Sequence, residues 1–300
     1  MSKFTAFLRQ TYIYFILILV YIPLVFATIF SFNKESDRGF LSTSWNTFSI
    51  EAWKTFGDGG RLDALVNSVI IAIFTALFVV SISLITVFAM WRQRNKKYGN
   101  IVRSVNNIPL INPDNITAIG LVLVFSILFG ALANTKEGMV RGIVGHTVMA
   151  LPYGITLMYP RSEKFNASLF EASQDLGYSK LRSWFKTYFI YMIPSIIFVS
   201  VVAAFLSFDD FIILSTTTNV STLGTKLYAG QFRAWGLVVG AFLLFVIFLA
   251  NIIYVSYKII QVKKNEKIMK QLSKQNEALN KTNRVNETIP NEVEFTLKNE

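Results

Sequence analysis

Long apolar runs alternate with short polar segments along this 300-residue chain. A helix needs roughly 20 apolar residues to cross about 30 Å of hydrocarbon. Six runs approach or exceed that length. They are residues 11–32, 64–91, 116–133, 143–159, 188–208 and 235–257. The pattern therefore predicts an all-α, polytopic membrane protein with six transmembrane helices.

The composition favours the same class. The chain is 53% hydrophobic and only 16% charged, whereas soluble domains carry about 25% charged residues. Its net charge of +11 would suggest nucleic acid binding in a soluble protein. Here the basic residues cluster at the ends of apolar runs, so membrane topology explains them better and no nucleic acid partner is expected. The chain has no cysteine, which excludes disulfides and thiolate chemistry.

The distribution of basic residues predicts the orientation. Of the 29 Lys and Arg residues, 21 lie in segments on the same side as the N-terminus and eight lie on the other side. Basic residues are enriched in cytoplasmic loops. We therefore expect a multi-pass protein of the cell membrane with both termini in the cytoplasm.

Two regions differ in composition. Residues 1–260 contain all six apolar runs and form the predicted permease domain. Residues 261–300 are rich in Lys, Asn, Glu and Gln. Such a composition lacks the apolar surface needed for a core, and we predict a charged cytoplasmic tail with a short helical stub followed by a disordered segment.

The cytoplasmic segment at about 161–190 contains the polar stretch "SLFEASQDLGYSK". Phe165, Leu169, Ala172 and Leu176 are spaced by four, three and four residues, which predicts one apolar stripe on a short helix. Gly177 stands where a left-handed C-terminal cap is expected. A helix this short is marginal alone, so it must pack either on its own membrane domain or on a cytoplasmic partner.

A second short helix is predicted after the glycine. Ser179 is placed to cap its N-terminus, and Leu181, Trp184 and Phe185 form its apolar side. The segment is therefore expected to be a helix–glycine–helix hairpin.

These residues carry a resemblance to a known family. Glu171, Ala172 and Ser173, followed three residues later by Gly177, resemble the Glu-Ala-Ala loop of permease subunits in binding-protein-dependent ABC importers. The stretches "NPDNITAIGLVLVF", "GHTVMALPYG" and "AAFLSFDDFIILS" resemble segments of the C-type permeases of spermidine/putrescine importers. The similarity extends over roughly residues 10–258.

The chain departs from the family pattern at two places. Ser173 replaces the second alanine of the loop, a change between small residues. The family's Ile-x-Leu-Pro ending is expected at residues 187–190, where this chain has Thr, Tyr, Phe and Ile, and the next proline is Pro194. The second departure puts the second coupling helix in doubt.

The resemblance implies a transmembrane subunit of an ATP-driven importer for polyamines. It implies four kinds of partner: a homologous second permease, two copies of an ATPase, an extracytoplasmic binding protein and the polyamine itself. In the family, the loop docks on the ATPase, so Phe165, Leu169, Glu171, Ala172, Ser173, Leu176 and Gly177 are the expected coupling residues. Two alternatives stay open: a permease for another small solute, such as thiamine or a metal complex, and a stand-alone channel or secondary transporter.

The residues themselves favour a transport subunit over an enzyme. The chain contains no Gly-Lys pair and hence no phosphate loop of the Gly-x-x-x-x-Gly-Lys-Ser/Thr type. ATP is therefore expected on a separate subunit, and no cofactor or metal is expected here. The single histidine, His146, is interpreted as a hydrogen-bonded packing residue, with no catalytic residue assigned.

Three aspartates interrupt apolar sequence. Asp114 follows Pro113, which is expected to break a helix, and Asp209 and Asp210 divide two apolar stretches. A carboxylate at the bilayer centre costs roughly 2.5–3.5 kcal/mol, so such residues normally face a pathway or a protein partner. We interpret the three as substrate-path residues for a polycation; helix capping, pairing with Arg of a neighbouring subunit, or a place at the outer mouth remain alternatives.

Overall fold

The computed structural model describes residues 3–36, 38–93, 96–129, 138–230 and 232–297. Helices account for nearly all of these residues, and the only extended pairings among them are two isolated bridges. The helices are α1 Lys3–Phe30, α2 Glu51–Lys54, α3 Arg61–Arg92, α4 Lys96–Ile111, α5 Asp114–Phe129, α6 Gly138–Glu163, α7 Ala167–Asp175, α8 Lys180–Ser183, α9 Ile190–Phe208, α10 Ile212–Thr217, α11 Leu223–Tyr228 and α12 Ala234–Leu297. The predicted all-α fold is confirmed.

Each predicted span overlaps one helix, but the count of six is not confirmed. Among the described residues, three helices are long and apolar enough to cross a membrane, in α3, in α8–α9 and in α12. A fourth is obtained if α4 and α5, which meet at a bend of 106°, count as one broken span. In α1 the apolar helix is the shorter segment Tyr14–Phe30. The helix α6 carries four glycines and two internal prolines, which lower its hydropathy.

The chain divides into two compact units. One unit holds Met1–Phe30 and Leu237–Glu300, and therefore α1 and most of α12. In that unit α12 continues to Leu297, well past the short helical stub predicted for the tail. The other unit, Ser31–Gly236, contains every predicted site residue.

Three helices form the centre of the larger unit. Helices α3, α6 and α9 pack on one another around a core that includes Val79, Met158 and Val199, all nearly inaccessible to solvent. The contact of α3 with α6 is close because Gly154 has no side chain. A Cβ atom there would lie 2.3 Å from Ser83 Oγ and 2.8 Å from Val79 Cγ1. Small residues of this kind let membrane helices approach each other.

Gly154→Ala should therefore destabilise the larger unit. The added methyl group forces α3 and α6 apart or moves Ser83, and overpacking of this kind costs about 1–3 kcal/mol. We expect a lower apparent Tm of the detergent-purified protein. Gly120→Ala is the matched control, because a Cβ at that helical glycine meets nothing within 4 Å. An equal Tm for the two variants would contradict the close packing of α3 on α6.

Candidate functional site

The predicted coupling segment folds as a helical hairpin, residues 167–183. Its first helix, α7, begins after Asn166, whose side chain accepts a hydrogen bond from the Ser168 backbone N–H at 3.0 Å. Its second helix, α8, begins after Ser179, whose hydroxyl accepts from the Arg182 backbone N–H at 3.4 Å. Both are N-caps of the usual chemistry. The predicted helix–glycine–helix unit is confirmed, including the capping role of Ser179.

Gly177 ends α7 in the left-handed conformation, with φ of +86°. The Tyr178 N–H donates to the Ser173 carbonyl at 3.1 Å, and the Gly177 N–H donates to the Gln174 carbonyl at 2.8 Å. This pair of bonds is the Schellman arrangement, which satisfies the last carbonyls of a helix. The predicted left-handed cap is therefore confirmed.

The predicted single apolar stripe is wrong in its first member. Phe165 precedes the N-cap of α7 and is buried, whereas Leu169, Ala172 and Leu176 are exposed. The inward side of α7 is instead formed by Phe170 and Ser173. The i, i+4 spacing of Phe165 and Leu169 predicts one helical face. The chain turns at Asn166, however, so Phe165 is not part of α7.

Ser173 occupies a buried position in α7. Its hydroxyl donates to the Phe170 carbonyl at 2.7 Å, so the buried polar group is satisfied. A small side chain is required there, and Ser meets that requirement as Ala would. The departure from the family's second alanine thus has a local structural explanation.

The hairpin exposes an apolar surface, here called the docking face. Leu176 and Leu181 are 80% and 74% exposed. The docking face consists of Leu169, Leu176, Leu181 and Phe185. Exposed apolar side chains of this kind are typical of a protein-binding surface.

An aromatic cluster anchors the hairpin to α3 and α9. Tyr188 lies at its centre with no exposed surface, and its ring centroid is 4.8 Å from that of Phe88 and 5.3 Å from that of Phe165. The Trp91 indole N–H donates to the Phe165 carbonyl at 3.0 Å. The cluster comprises Phe88, Trp91, Phe165, Phe170, Trp184, Tyr188 and Tyr191. The ring contacts therefore connect the hairpin with α3 and α9.

A buried hydrogen-bond relay reinforces this anchor. Ser162 Oγ donates to the Val87 carbonyl at 3.0 Å and lies 2.7 Å from the Tyr188 hydroxyl. Because the Ser162 hydroxyl already donates its proton to the Val87 carbonyl, the Tyr188 hydroxyl must donate to Ser162 Oγ. The relay joins α3, α6 and the segment preceding α9. Tyr188 is not predicted from the sequence, because residues 187–190 differ from the family's Ile-x-Leu-Pro ending and no local pattern marks the tyrosine as buried.

That ending is replaced by continuous helix. Residues Trp184–Phe189 form a π-helix between α8 and α9, and Pro194 lies inside α9. π-Helical turns are rare and occur mostly at functional sites. The widened turn directs Tyr188 into the aromatic cluster while the helix continues into the span.

Glu171 borders a pocket of about 420 Å³ at the base of the hairpin. Its carboxylate makes no hydrogen bond or ion pair with any residue that the structure describes. Arg92 lies across the pocket with its guanidinium 5.8 Å from the centre of the Phe170 ring. The lining residues are Trp91, Arg92, Ala167, Phe170, Glu171 and Gln174. Both charged groups thus remain available to a partner.

Asp114 begins α5 directly after the helix break. Helix α4 ends at Ile111, and the two helices bend by 106°, as expected from Pro113. The Asn112 side-chain amide donates to Thr117 Oγ1 at 3.0 Å across the break. Asp114 itself is exposed, and no hydrogen bond or ion pair among the described residues joins it to Asp209 or Asp210.

Asp209 and Asp210 follow the end of α9 and differ in their surroundings. The Asp210 carboxylate accepts a hydrogen bond from the Leu214 N–H at 3.0 Å, so it caps α10. The same oxygen lies 3.4 Å from His146 Nε2. Asp209 is the exposed member of the pair. The capping alternative therefore describes Asp210, and Asp209 is the carboxylate that remains open.

His146 is fully buried in α6. Neither ring nitrogen makes a hydrogen bond to a residue that the structure describes, and the nearest charged group is Asp210. The expected packing role agrees with this burial, but the expected hydrogen bond is absent from the described part of the chain. Its position connects α6 to the segment that carries the aspartate pair.

Comparisons with known proteins address the family directly. Residues 81–264 match the family profile described as "Binding-protein-dependent transport system inner membrane component". A Mycoplasma genitalium protein, the "Spermidine/putrescine transport system permease protein PotC homolog", is 33% identical over 88% of this chain and 96% of its own length. The Haemophilus influenzae "Spermidine/putrescine transport system permease protein PotC" is 27% identical over 74% of this chain and 82% of its own length.

A solved structure supports the fold. One chain of a bacterial ABC transporter involved in the import of the acidic polysaccharide alginate superposes with a TM-score of 0.57. The match covers 86% of this chain and 98% of that one at 16% identity, so it bears on the fold alone. The profile match extends over more than half of the chain, and the Mycoplasma relative matches almost end to end. The chain belongs to the family of inner membrane components of binding-protein-dependent transport systems.

Proposed function

We propose that this chain is a permease subunit of an ATP-driven polyamine importer. The observation that carries the substrate class is the near end-to-end similarity to relatives named as spermidine/putrescine permeases. The acidic residues at the helix break and after α9 suit a flexible polycation, which needs several spaced negative partners. Anions are disfavoured by the same residues, whereas another cationic solute is the rival substrate.

The hairpin is the proposed point of attachment for the motor. Its docking face presents exposed apolar side chains. Glu171 and Arg92 line the pocket at its base, and neither forms an ion pair with a residue that the structure describes. An ATPase that binds this surface would act on α3 and α9 through the aromatic cluster, and on α6 through the Ser162–Tyr188 hydrogen bond. The motor must contact the hairpin differently in its two states, because a ligand shifts an equilibrium only by its differential affinity.

The proposed assembly contains four further components. They are a homologous second permease, two copies of an ATPase that binds the nucleotide, and an extracytoplasmic binding protein. The chain would lie in the cell membrane with both termini and the hairpin in the cytoplasm. It would act as a transport subunit without catalytic residues or a cofactor of its own.

Two outer segments are the proposed contact with the binding protein. Leu41 N–H donates to the Phe232 carbonyl at 3.2 Å, and the Asn67 side-chain amide donates to the Ser221 carbonyl at 3.0 Å. The first bond joins the loop that follows α1 to the segment between α10 and α12, and the second joins α3 to that segment. A surface assembled from both segments would receive the loaded binding protein.

Asp114→Asn is expected to slow spermidine uptake by the reconstituted complex about 3- to 10-fold. The substitution keeps the size of the side chain and removes one negative charge, which is worth roughly 1 kcal/mol in a partly solvated path. ATPase association should be unchanged. Glu163→Gln is the matched control, since it removes an exposed carboxylate at the C-terminal end of α6. Equal uptake by Asp114→Asn and the wild type would remove Asp114 from the path.

Transport of labelled spermidine in proteoliposomes tests the function itself. We expect uptake that requires ATP, the ATPase and the binding protein. A stand-alone channel or secondary transporter would instead take up spermidine without the ATPase. Uptake of thiamine or a metal complex in place of spermidine would support the rival substrate.

A further inference from the structure

An aromatic pair stands beside the open aspartate after α9. Phe211 lies in the turn between α9 and α10, and Tyr228 ends α11. Their ring centroids are 5.6 Å apart, with an interplanar angle of 44°. Tyr228 is 43% exposed, so the pair is not closed off as a packed core would be. No local sequence pattern predicts a role for either residue.

The Asp209 carboxylate acts directly on this pair. It raises the pKa of the Tyr228 hydroxyl above its ordinary value, and burial of the ring raises it further. A negative charge has this effect on a phenol because it disfavours the phenolate. Phe211, whose ring contacts that of Tyr228, follows Asp209 by two residues, so Asp209 and the ring pair lie in the same region of the fold.

A close backbone contact fixes the spacing between these groups. A Cβ atom on Gly224 would lie 2.5 Å from the Asp210 carbonyl oxygen and 3.1 Å from that of Asp209. Helix α11 thus packs directly on the backbone of the aspartate pair. Tyr228 follows Gly224 by one helical turn, so its ring is held beside Asp209 by the fold rather than by a flexible side chain alone.

The neighbouring charged residues, Asp210 and Lys226, are engaged elsewhere and do not pair with the Asp209 carboxylate. Asp210 already caps α10 and faces His146, and Lys226 directs its ammonium group to the Gly59 carbonyl. No hydrogen bond or ion pair to the Asp209 carboxylate is found among the described residues. Among the described residues, Asp209 is therefore an exposed carboxylate without a counter-charge, close to two aromatic rings.

We propose that Asp209, Phe211 and Tyr228 form an entry site for one primary ammonium group of a polyamine. The carboxylate supplies the charge, and the aromatic faces attract the cation and the adjoining methylene chain. The 19 residues of α9 span about 28 Å, so the site lies at the opposite end of that span from the hairpin. The substrate would meet this site first on leaving the binding protein. The inference rests on the proposed polyamine function.

Equilibrium binding of labelled spermidine to the nanodisc-embedded permease–ATPase complex, without the binding protein, tests the site. Tyr228→Leu should raise the Kd roughly 3- to 30-fold, because it keeps an apolar side chain and removes the aromatic face. Tyr228→Phe is the matched control and should change the Kd less than about 2-fold. The double variant Tyr228→Leu/Asp209→Asn should raise the Kd by less than the product of the two single fold-changes, because both residues act on one ammonium group.

The possible outcomes distinguish a failure of the proposed entry site from a failure of the proposed polyamine function. Normal spermidine binding by Tyr228→Leu, together with ATP-driven spermidine uptake by the wild-type complex, overturns the entry site and leaves the polyamine function standing. An equal loss of binding in Tyr228→Phe and Tyr228→Leu also overturns it, because the hydroxyl rather than the aromatic face would then matter. Absence of spermidine uptake by the complete wild-type complex overturns the proposed function itself.

Discussion

Gly177→Val is expected to abolish ATP-driven uptake while the membrane helices still fold. Gly177 has φ of +86°, a conformation that costs a non-glycine residue roughly 1–2 kcal/mol and a β-branched residue more. A Cβ there meets nothing within 4 Å, so the effect is conformational and local. Valine would open the Schellman cap and turn α8 away from α7, which divides the docking face. The measurement is ATP hydrolysis and spermidine uptake by the same proteoliposomes.

The matched control for this prediction is Gly177→Asn. Asparagine tolerates the left-handed conformation better than other non-glycine residues, and it adds a side chain at the same open position. Gly177→Asn should retain most of the transport activity and the ATPase association. Normal transport-coupled hydrolysis in Gly177→Val would rule out the hairpin as the attachment point of the motor.

Asp209→Asn should lower spermidine uptake about 10- to 100-fold, the second large effect. A carboxylate that binds an ammonium group contributes roughly 1.5–3 kcal/mol, and no other described residue compensates the charge of Asp209. Asp210→Asn should have a smaller effect, because the amide oxygen can still accept the Leu214 N–H and keep α10 capped. Uptake by the two single variants and by the double variant, at equal complex concentration, provides the comparison.

Two results would contradict the assignment of the aspartates. Unchanged uptake in the double variant would exclude both residues from the path. A larger loss in Asp210→Asn than in Asp209→Asn would mean that capping of α10, rather than cation binding, dominates at this position. ATPase association measured on the same preparations separates both results from a failure to assemble.

The helical fold and the hairpin could be predicted from the sequence because their causes are local. Apolar runs of membrane-spanning length specify helices, Pro113 breaks one, and Gly177 and Ser179 cap the hairpin through bonds between near neighbours. The number of spans was less predictable. Helix α6 combines glycine and proline with apolar residues, so its composition falls short of that of an independent span although it packs at the centre.

The long-range parts of the site were not predictable. The spacing of Phe165 fits the predicted apolar stripe of the short helix. Its buried position follows only from the turn at Asn166 and from its ring contacts with Trp91 and Tyr188. A second pattern, Phe170 and Ser173 at i, i+3, marks the inward face of α7 and was available in the sequence. The proximity of Asp209 and Tyr228 depends on the packing of Gly224 against a backbone that is distant in sequence, which no local pattern indicates.

Labelled spermidine uptake by proteoliposomes, with and without the ATPase subunit, tests the central claim most directly. The preparation contains this chain, its partner permease and the binding protein in both cases, and only the motor is varied. We predict saturable uptake that requires ATP and stops when the ATPase is omitted. Equal uptake without the ATPase, or no spermidine uptake by the complete complex, would contradict the account.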